Sequence, residues 1–294
     1  MQTPAGRDTG KCIFVTDLHG SRERYIKLFE LVRKERPNAL FIGGDILPSG
    51  LQQVATLDVS HSDFFASFLL KHLHALKQAL GTAYPRIFLI LGNDDGRFME
   101  PAVLDAAAQG LWQYVHNRHV PFGPYRVFGY AYIPPTPFAL KDWERYDVSR
   151  YVDPGCSHPA DGIHSHPVAD DALRATIAKD LEQLTENQDL NRAIFLFHTP
   201  PYQTYLDRAD LDGQMVDFAP LDVHVGSIAV QRFIQDRQPL ITLHGHVHES
   251  VRLTGHWRQR IGRTLAFSAA HDGPELAVVR FDPSRADEAQ RQLL

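Results

Sequence analysis

Short, wholly apolar runs alternate with amphipathic ones along most of this chain. The run KCIFVTDLHG (residues 11–20) is a brief β-rich stretch that ends at once in Asp17, His19 and Gly20. It is followed by SRERYIKLFELVRKER, where Tyr25, Leu28, Phe29 and Val32 fall on one helical stripe. Ser21 is placed to cap that helix and Pro37 to stop it. ALFIGGD then reads as a second buried strand, ending in Asp45. Strand, helix and strand over this length form a βαβ unit, so the two strands are expected to be parallel. The pattern recurs three times. HSDFFASFLLKHLHALKQAL sets Phe65, Leu69, Leu73, Leu76 and Leu80 along a helix before the strand RIFLILGND, which ends in Asn93 and Asp94. DDALRATIAKDLEQL, with Leu173, Ile177, Leu181 and Leu184 at helical spacing, precedes the strand AIFLF and His198. SIAVQRFIQDRQ, capped by Ser227, precedes PLITLHGHVH, which ends in His246 and His248.

Other segments break the alternation. YRVFGYAYIPP, WRQRIG, TLAFSAA and LAVVRFD read as strands without intervening helices, which predicts antiparallel pairing in a mixed sheet or a second sheet. Residues 136–166 are rich in Pro, Asp and aromatics, have weak periodicity, and define an inserted loop region at about 134–170. Residues 1–10 read as a loose N-terminal tail and 284–294 as a C-terminal tail, leaving a single domain over 11–283. A chain of 294 residues, 44% hydrophobic, is long enough to bury one substantial core.

Composition narrows the partners. The net charge of −5, with no run of Lys or Arg, argues against extended nucleic-acid binding, which needs a basic stripe to displace counterions. No apolar run reaches the ~18–20 residues needed to span a membrane. The first apolar segment is too short for the core of a signal peptide, so a cytoplasmic protein is expected. Two cysteines, Cys12 and Cys156, build no disulfide framework, and reduced thiols are the expectation.

The candidate chemistry lies at the strand ends. Five strands deliver metal-competent residues directly after an apolar run: Asp17 and His19, Asp45, Asn93 with Asp94, His198, and His246 with His248. In α/β sheets, ligands bind at the carboxyl ends of strands. Imidazole nitrogens with carboxylate and amide oxygens suit Mn, Fe, Zn or Co. The lack of cysteine among them argues against a closed structural zinc site. Two metals ~3.5–4 Å apart need a shared anionic ligand, and a carboxylate can bridge them through its two oxygens. A water held there loses a proton near neutral pH and becomes a nucleophile. Each residue alone would ordinarily be solvated or a cap. Seven unpaired polar groups buried together would be costly, and a metal centre explains them jointly.

The blocks DLHG, GGD, GND, FHTPP and GHVH, in this order from Asp17 to His248, resemble the calcineurin-like metallophosphoesterase superfamily, whose pattern is D-x-H, G-D, G-N-H, H and G-H-x-H. The resemblance implies an αββα sandwich of two mixed β-sheets flanked by helices. It implies two divalent transition-metal ions (Mn2+, Fe2+/Fe3+, Zn2+ or Co2+), the first held by Asp17, His19 and His248, the second by Asn93, His198 and His246, with Asp45 bridging. It further implies hydrolysis of a phosphate ester, a phosphodiester slightly favoured, by a metal-bridging hydroxide. The partner is then a small phosphate ester, with nucleotides among the candidates. Asp45, Asn93, Asp94 and His198 occupy the catalytic positions. One block departs from the pattern: the family usually carries His after Asn, to protonate the leaving group or contact the phosphate, and this chain has Asp94 followed by Asp95. A carboxylate beside two cations is a poor proton donor. Asp95, His224 or His271 are the substitutes to test. The departure also supports a rival reading, a nucleotide-binding regulatory protein with a degenerate, weakly active site.

Around this set, Arg97 is a candidate for a substrate phosphate, which a guanidinium fork fits well, and Tyr202 and His224 are further candidate substrate contacts. Their ordinary alternatives are a surface arginine, loop packing and a helix cap. His244 reads equally as a support for His246 or as a satisfied core histidine. Trp143, Tyr146 and Tyr151 are weighed as a stacking platform against plain loop packing, which is favoured. His158, His164 and His166 read as a solvated loop, and Phe64, Phe65 and Phe68 as core.

Overall fold

The computed structural model describes residues 10–56, 64–169 and 172–294. The apolar runs become central strands because a strand buried on both faces has no use for polar alternation. β1 (Cys12–Val15), β2 (Ala39–Gly43) and β3 (Arg86–Ile90) pair in parallel in the first sheet. Next in the chain come β4 (Gln113–Tyr114), β5 (Arg118–Phe122), β6 (Tyr125–Tyr130) and β7 (Ala193–Phe197). A small hairpin of β8 (Met215–Val216) and β9 (Ala219–Pro220) precedes β10 (Ile241–His244), β11 (Arg258–Ile261), β12 (Thr264–Ser268), β13 (Ala277–Phe281) and β14 (Gln290–Leu293). The two principal sheets run β14-β13-β1-β2-β3-β4 and β11-β12-β10-β7-β6-β5.

The sheets pack face to face through aromatic side chains. Phe41 of β2 and Phe88 of β3 meet Phe122 of β5 at 6.2 and 5.4 Å between ring centres. Phe281 of β13 meets Phe267 of β12 at 6.0 Å. Such pairs add about 0.5–1.5 kcal/mol each beyond their buried area.

Helices cover the outer faces. α1 (Arg22–Glu35) is capped by Ser21, whose side chain accepts from Arg24 N at 3.3 Å. It ends on Arg36 in the left-handed conformation, immediately before Pro37. α2 (Gly50–Thr56) follows, then a π-helical segment Phe64–Leu70 that continues into α3 (Lys71–Leu80). Tyr25 of α1 lies 5.7 Å from Phe64 and 6.2 Å from Phe68, joining these helices in one layer. α4 (Glu100–Ala108), α5 (Ile177–Leu184), α6 (Ile228–Arg237) and α7 (Ser250–Thr254) complete the set. Phe233 of α6 packs on Phe195 of β7 at 5.0 Å, and Ser227 caps α6 by accepting from Val230 N at 3.0 Å. The architecture is the expected αββα sandwich of two mixed sheets.

Several expectations need correction. The helix-free strands are not uniformly antiparallel: β6 pairs in parallel with β7, and β12 with β10, while each is antiparallel only to its hairpin partner. Residues 284–294 are no tail. After a turn at Pro283–Glu288 they form β14, the edge of the first sheet, and an edge strand with one solvated side can be polar. The helix expected over 170–184 begins only at Ile177. Thr176 takes an extended conformation and caps it, accepting from Lys179 N at 3.3 Å, and Ala172–Arg174 is a separate turn. α4 and the strands β4 and β5 had no clear signal, since β5 is an exposed edge carrying Arg118, His119 and Pro121. The helix start at 61–63 and the loose tail at 1–9 lie outside the described residues.

The inserted region carries no strand or α-helix among its described residues, yet it is bound into the core. Trp143 is fully buried and donates from Nε1 to Asp95 O at 2.8 Å. Lys141 and Glu144 form an ion pair at 2.7 Å with both side chains fully buried. Asp147 accepts from Ile228 N and Ala229 N at 2.6 and 3.1 Å, tying the region to the start of α6. His164 and His166 lie beside the buried Asp142 rather than in open solvent. Neither cysteine forms a disulfide, and among the described residues no helix is long and apolar enough to cross a membrane.

Candidate functional site

The polar residues predicted from the strand ends gather at one pole of the sandwich. The first sheet supplies Asp17 and His19 beyond β1, Asp45 beyond β2, and Asn93 and Asp94 beyond β3. The second supplies His198 beyond β7 and His246 and His248 beyond β10. The chain leaves its strands by abrupt turns: Asp17, His19, Asp45 and His246 all take positive φ, at 55, 45, 49 and 72°. A side chain in that region costs of order 1–3 kcal/mol and persists only where the surroundings fix it. Here Asp17 N donates to Gly44 O at 3.1 Å, His19 N to Asp45 O at 2.7 Å, and His246 N to Asp17 Oδ1 at 3.1 Å. Gly92 is required by close approach, since a Cβ there would collide with the Asp45 carboxylate and would lie 2.6 Å from the His198 ring.

Asp45 stands between two sets of polar side chains. Ligand atoms of Asp17, His19, Asp45 and His248 all lie within 4.8 Å of one another, with the two Nε2 atoms of His19 and His248 3.2 Å apart. Beside them, His198 Nε2 faces Asn93 Oδ1 at 2.9 Å and Asp45 Oδ2 at 3.3 Å, and the His246 ring centre is 5.3 Å from that of His198. Asp45 Oδ2 is also 3.8 Å from His19 Nε2. Its other oxygen, Oδ1, accepts from Asp94 N at 2.7 Å, so a single oxygen faces both groups rather than one oxygen each.

His198 Nδ1 donates to Gly43 O at 2.8 Å, so Nε2 is the nitrogen presented to the site. An imidazole lone pair, an amide oxygen and a carboxylate oxygen then converge, and three acceptors hold together only around a proton or a cation. The donor chemistry therefore fits a divalent transition metal. The titration behaviour agrees. Burial alone would lower the His198 pKa, but the Asp45 and Asp17 carboxylates raise it to about 9. For His19, burial is likewise outweighed by its contact with Asp94 and by Asp45 and Asp17, again reaching about 9. Asp17 and Asp45 are pulled below the carboxylate range, despite burial, by the neighbouring imidazoles. Burial and then the His198 charge push His246 down to about 3, leaving it a neutral donor.

Asp94 sits at the rim of this cluster, with Oδ2 3.3 Å from His19 Nδ1 and Oδ1 accepting from Ser49 Oγ at 2.8 Å. Asp95 points away and is fully buried. Its carboxylate accepts from Ile46 N, Leu47 N and Gly92 N at 3.1, 2.7 and 2.9 Å, lashing the loops beyond β2 and β3 together. Burial and the Asp45 charge raise its pKa to about 7. A residue so enclosed is no replacement proton donor. Arg97 binds Glu100 and Tyr132 at 3.0 and 2.8 Å and stacks over Trp143. Tyr202 donates to Asp222, and His224 meets Asp207 at 2.9 Å in the loop beyond His198. His271 meets Glu275 at 2.9 Å. His244 is a satisfied core histidine, between Thr199 O and Thr242 Oγ1 at 2.9 and 2.8 Å and stacked on Phe197. Of the aromatic platform, Trp143 is inaccessible and Tyr146 nearly so, while Tyr151 is exposed. Sequence reasoning missed Ser49 and also Arg24, whose guanidinium donates to Asp17 O at 2.6 Å and Gly273 O at 2.5 Å. No motif marks either.

A family profile described as calcineurin-like phosphoesterase matches residues 10–250. The chain belongs to the calcineurin-like phosphoesterase family. Solved structures share the family fold at low identity. The protein TT1561 of Thermus thermophilus is 17% identical, with a TM-score of 0.55 over 97% of this chain and 99% of that one. A dimetal phosphatase from Danio rerio is 13% identical, with a TM-score of 0.51 over 97% of this chain and 99% of that one. No curated protein matches the sequence significantly.

Proposed function

We propose that this calcineurin-like protein is a dinuclear metal-dependent hydrolase of small phosphate esters, with phosphodiesters preferred. One observation carries the reading: Asp45 Oδ2 stands 3.8 Å from His19 Nε2 and 3.3 Å from His198 Nε2, between two donor groups. Asp17, His19 and His248 would hold one ion, Asn93, His198 and His246 the other, and Asp45 both. Bound there, two such ions would supply an activated water and charge to stabilise the transferring phosphoryl oxygens. The chain's own residues supply the geometry. Gly43 O fixes which nitrogen His198 presents, Asp94 N fixes the free oxygen of Asp45, and Asn93 adds an oxygen donor without adding charge. The dimetal phosphatase among the fold neighbours is in keeping with this reading.

Hydrolysis of bis(p-nitrophenyl) phosphate and of p-nitrophenyl phosphate, each with and without Mn2+, tests it. Manganese-dependent turnover, faster on the diester, is expected. Asp45→Asn should cut it by more than the 10–100-fold typical of losing an outer-shell partner. Saturable nucleotide binding without turnover would favour the regulatory reading.

A further inference from the structure

We propose that Asp94, which stands where the family pattern has histidine, is a positioning residue for His19 and not a proton donor to the leaving group. The inference rests on the dinuclear reading above, because it gives Asp94 a task relative to an ion held by His19.

The geometry around His19 is that of a buttressed ligand. Its Nε2 points into the site, 3.2 Å from His248 Nε2, and its Nδ1 lies 3.3 Å from Asp94 Oδ2. With the Nδ1 proton directed at that carboxylate, the lone pair of His19 is confined to Nε2, the ring orientation is set, and the nitrogen becomes more basic. Asp94 is in turn held from several directions. Its Oδ1 accepts from Ser49 Oγ at 2.8 Å, its amide donates to Asp45 Oδ1 at 2.7 Å, and its carbonyl accepts from Gly50 N at 2.7 Å. Both carboxylate oxygens thus have partners that donate to them, an arrangement suited to an anion that accepts. A leaving-group acid needs the opposite, a protonated oxygen free to turn toward substrate.

The two donor groups consequently differ in their support. His198 is oriented by a neutral backbone carbonyl, Gly43 O at 2.8 Å, and His19 by a carboxylate. Exchanging His for Asp at this position replaces a group that acts on substrate with one that acts on a ligand, and it acts on one side of the pair only.

Manganese titration followed by the electron paramagnetic resonance of free Mn2+ separates the roles without requiring turnover. Wild type is expected to bind two ions. Asp94→Ala should weaken one of them by about 10–100-fold, as losing the outer partner of a ligating histidine typically does. The second ion should be nearly unaffected, and turnover of an activated aryl ester should recover as Mn2+ is raised. Asp94→Asn keeps an acceptor oxygen without the charge and should fall in between. The proposal is overturned if Asp94→Ala binds both ions with wild-type affinity and loses kcat irrecoverably, most for poor leaving groups. If the alanine variant does not fold, Asp94→Asn decides: one weakened ion supports the proposal, and unchanged affinity with lost kcat overturns it. Wild type that binds no manganese overturns the dinuclear reading itself, a result distinct from any behaviour of the variants.

Discussion

At the scale of single residues, the protonation of the site histidines sets the pH behaviour, His248 being raised, despite burial, by Asp17 much as His19 and His198 are raised by their carboxylate neighbours. His19 and His198 are each raised to about 9 in the metal-free chain, so both carry protons at neutrality that a cation must displace. Metal affinity should therefore climb with pH and level off above about 9. Stability of the metal-free chain runs the other way. A raised pKa contributes fully below the unfolded value of about 6.5, and the contribution is lost as pH rises through the folded value. Calorimetric titration with Mn2+ at about pH 6, 7 and 8 checks this, and an affinity that is flat with pH would contradict it. With Asp94 facing His19 and Ser49, no donor stands at the family's usual position. The logarithm of kcat/KM should therefore fall steeply as leaving-group pKa rises. General acids contribute ~10²–10⁴-fold, so a flat line limited by chemistry would reveal a donor elsewhere. The metal-competent residues were legible as a set, because five apolar runs end in them one after another; any one of them alone would read as a cap or a solvated group. Asp95 was not legible. Its partners are backbone amides of loops that only the folded sheet brings side by side.

At the scale of elements, legibility followed burial. The wholly apolar strands and the capped helices α1 and α6 were readable. The polar edge strands β5 and β14 were not, because an edge need not alternate. The region at 134–170 hid its order in side-chain contacts rather than periodicity. Its fully buried Lys141–Glu144 pair gives a direct test. Lys141→Met leaves the Glu144 carboxylate buried without a cation, and losing one partner of such a pair costs about 3–5 kcal/mol. Adding Glu144→Leu should recover part of that loss, though the amide of Thr136 then lacks its acceptor. Urea unfolding of the two variants measures both effects. A change within about 0.5 kcal/mol for Lys141→Met, the level of an ordinary surface substitution, would show that the ion pair contributes little to the stability of the region.

At the scale of the whole molecule, the site is a seam between the two sheets. Asp17, His19, Asp45 and Asn93 come from one, His198, His246 and His248 from the other, so bound ions would staple the layers together. Ligand binding to the folded state stabilises it by about 2.7 kcal/mol at a hundred times the dissociation constant. Chelation should accordingly lower Tm, and Mn2+ should restore it. An unchanged Tm on chelation of metal-loaded protein would mean that the sheets do not depend on the ions. The existence of two sheets was implied by the resemblance of the strand-end blocks, whereas periodicity left one mixed sheet or two open. Their strand order was not legible, because it depends on which apolar faces meet across the sandwich, as Phe41 meets Phe122.

The most direct test of the account is an anomalous difference map from crystals grown with Mn2+. It should show two peaks ~3.5–4 Å apart, with Asp45 between them, Asp17, His19 and His248 around one, and Asn93, His198 and His246 around the other. A single peak, or two that do not share Asp45, would contradict it.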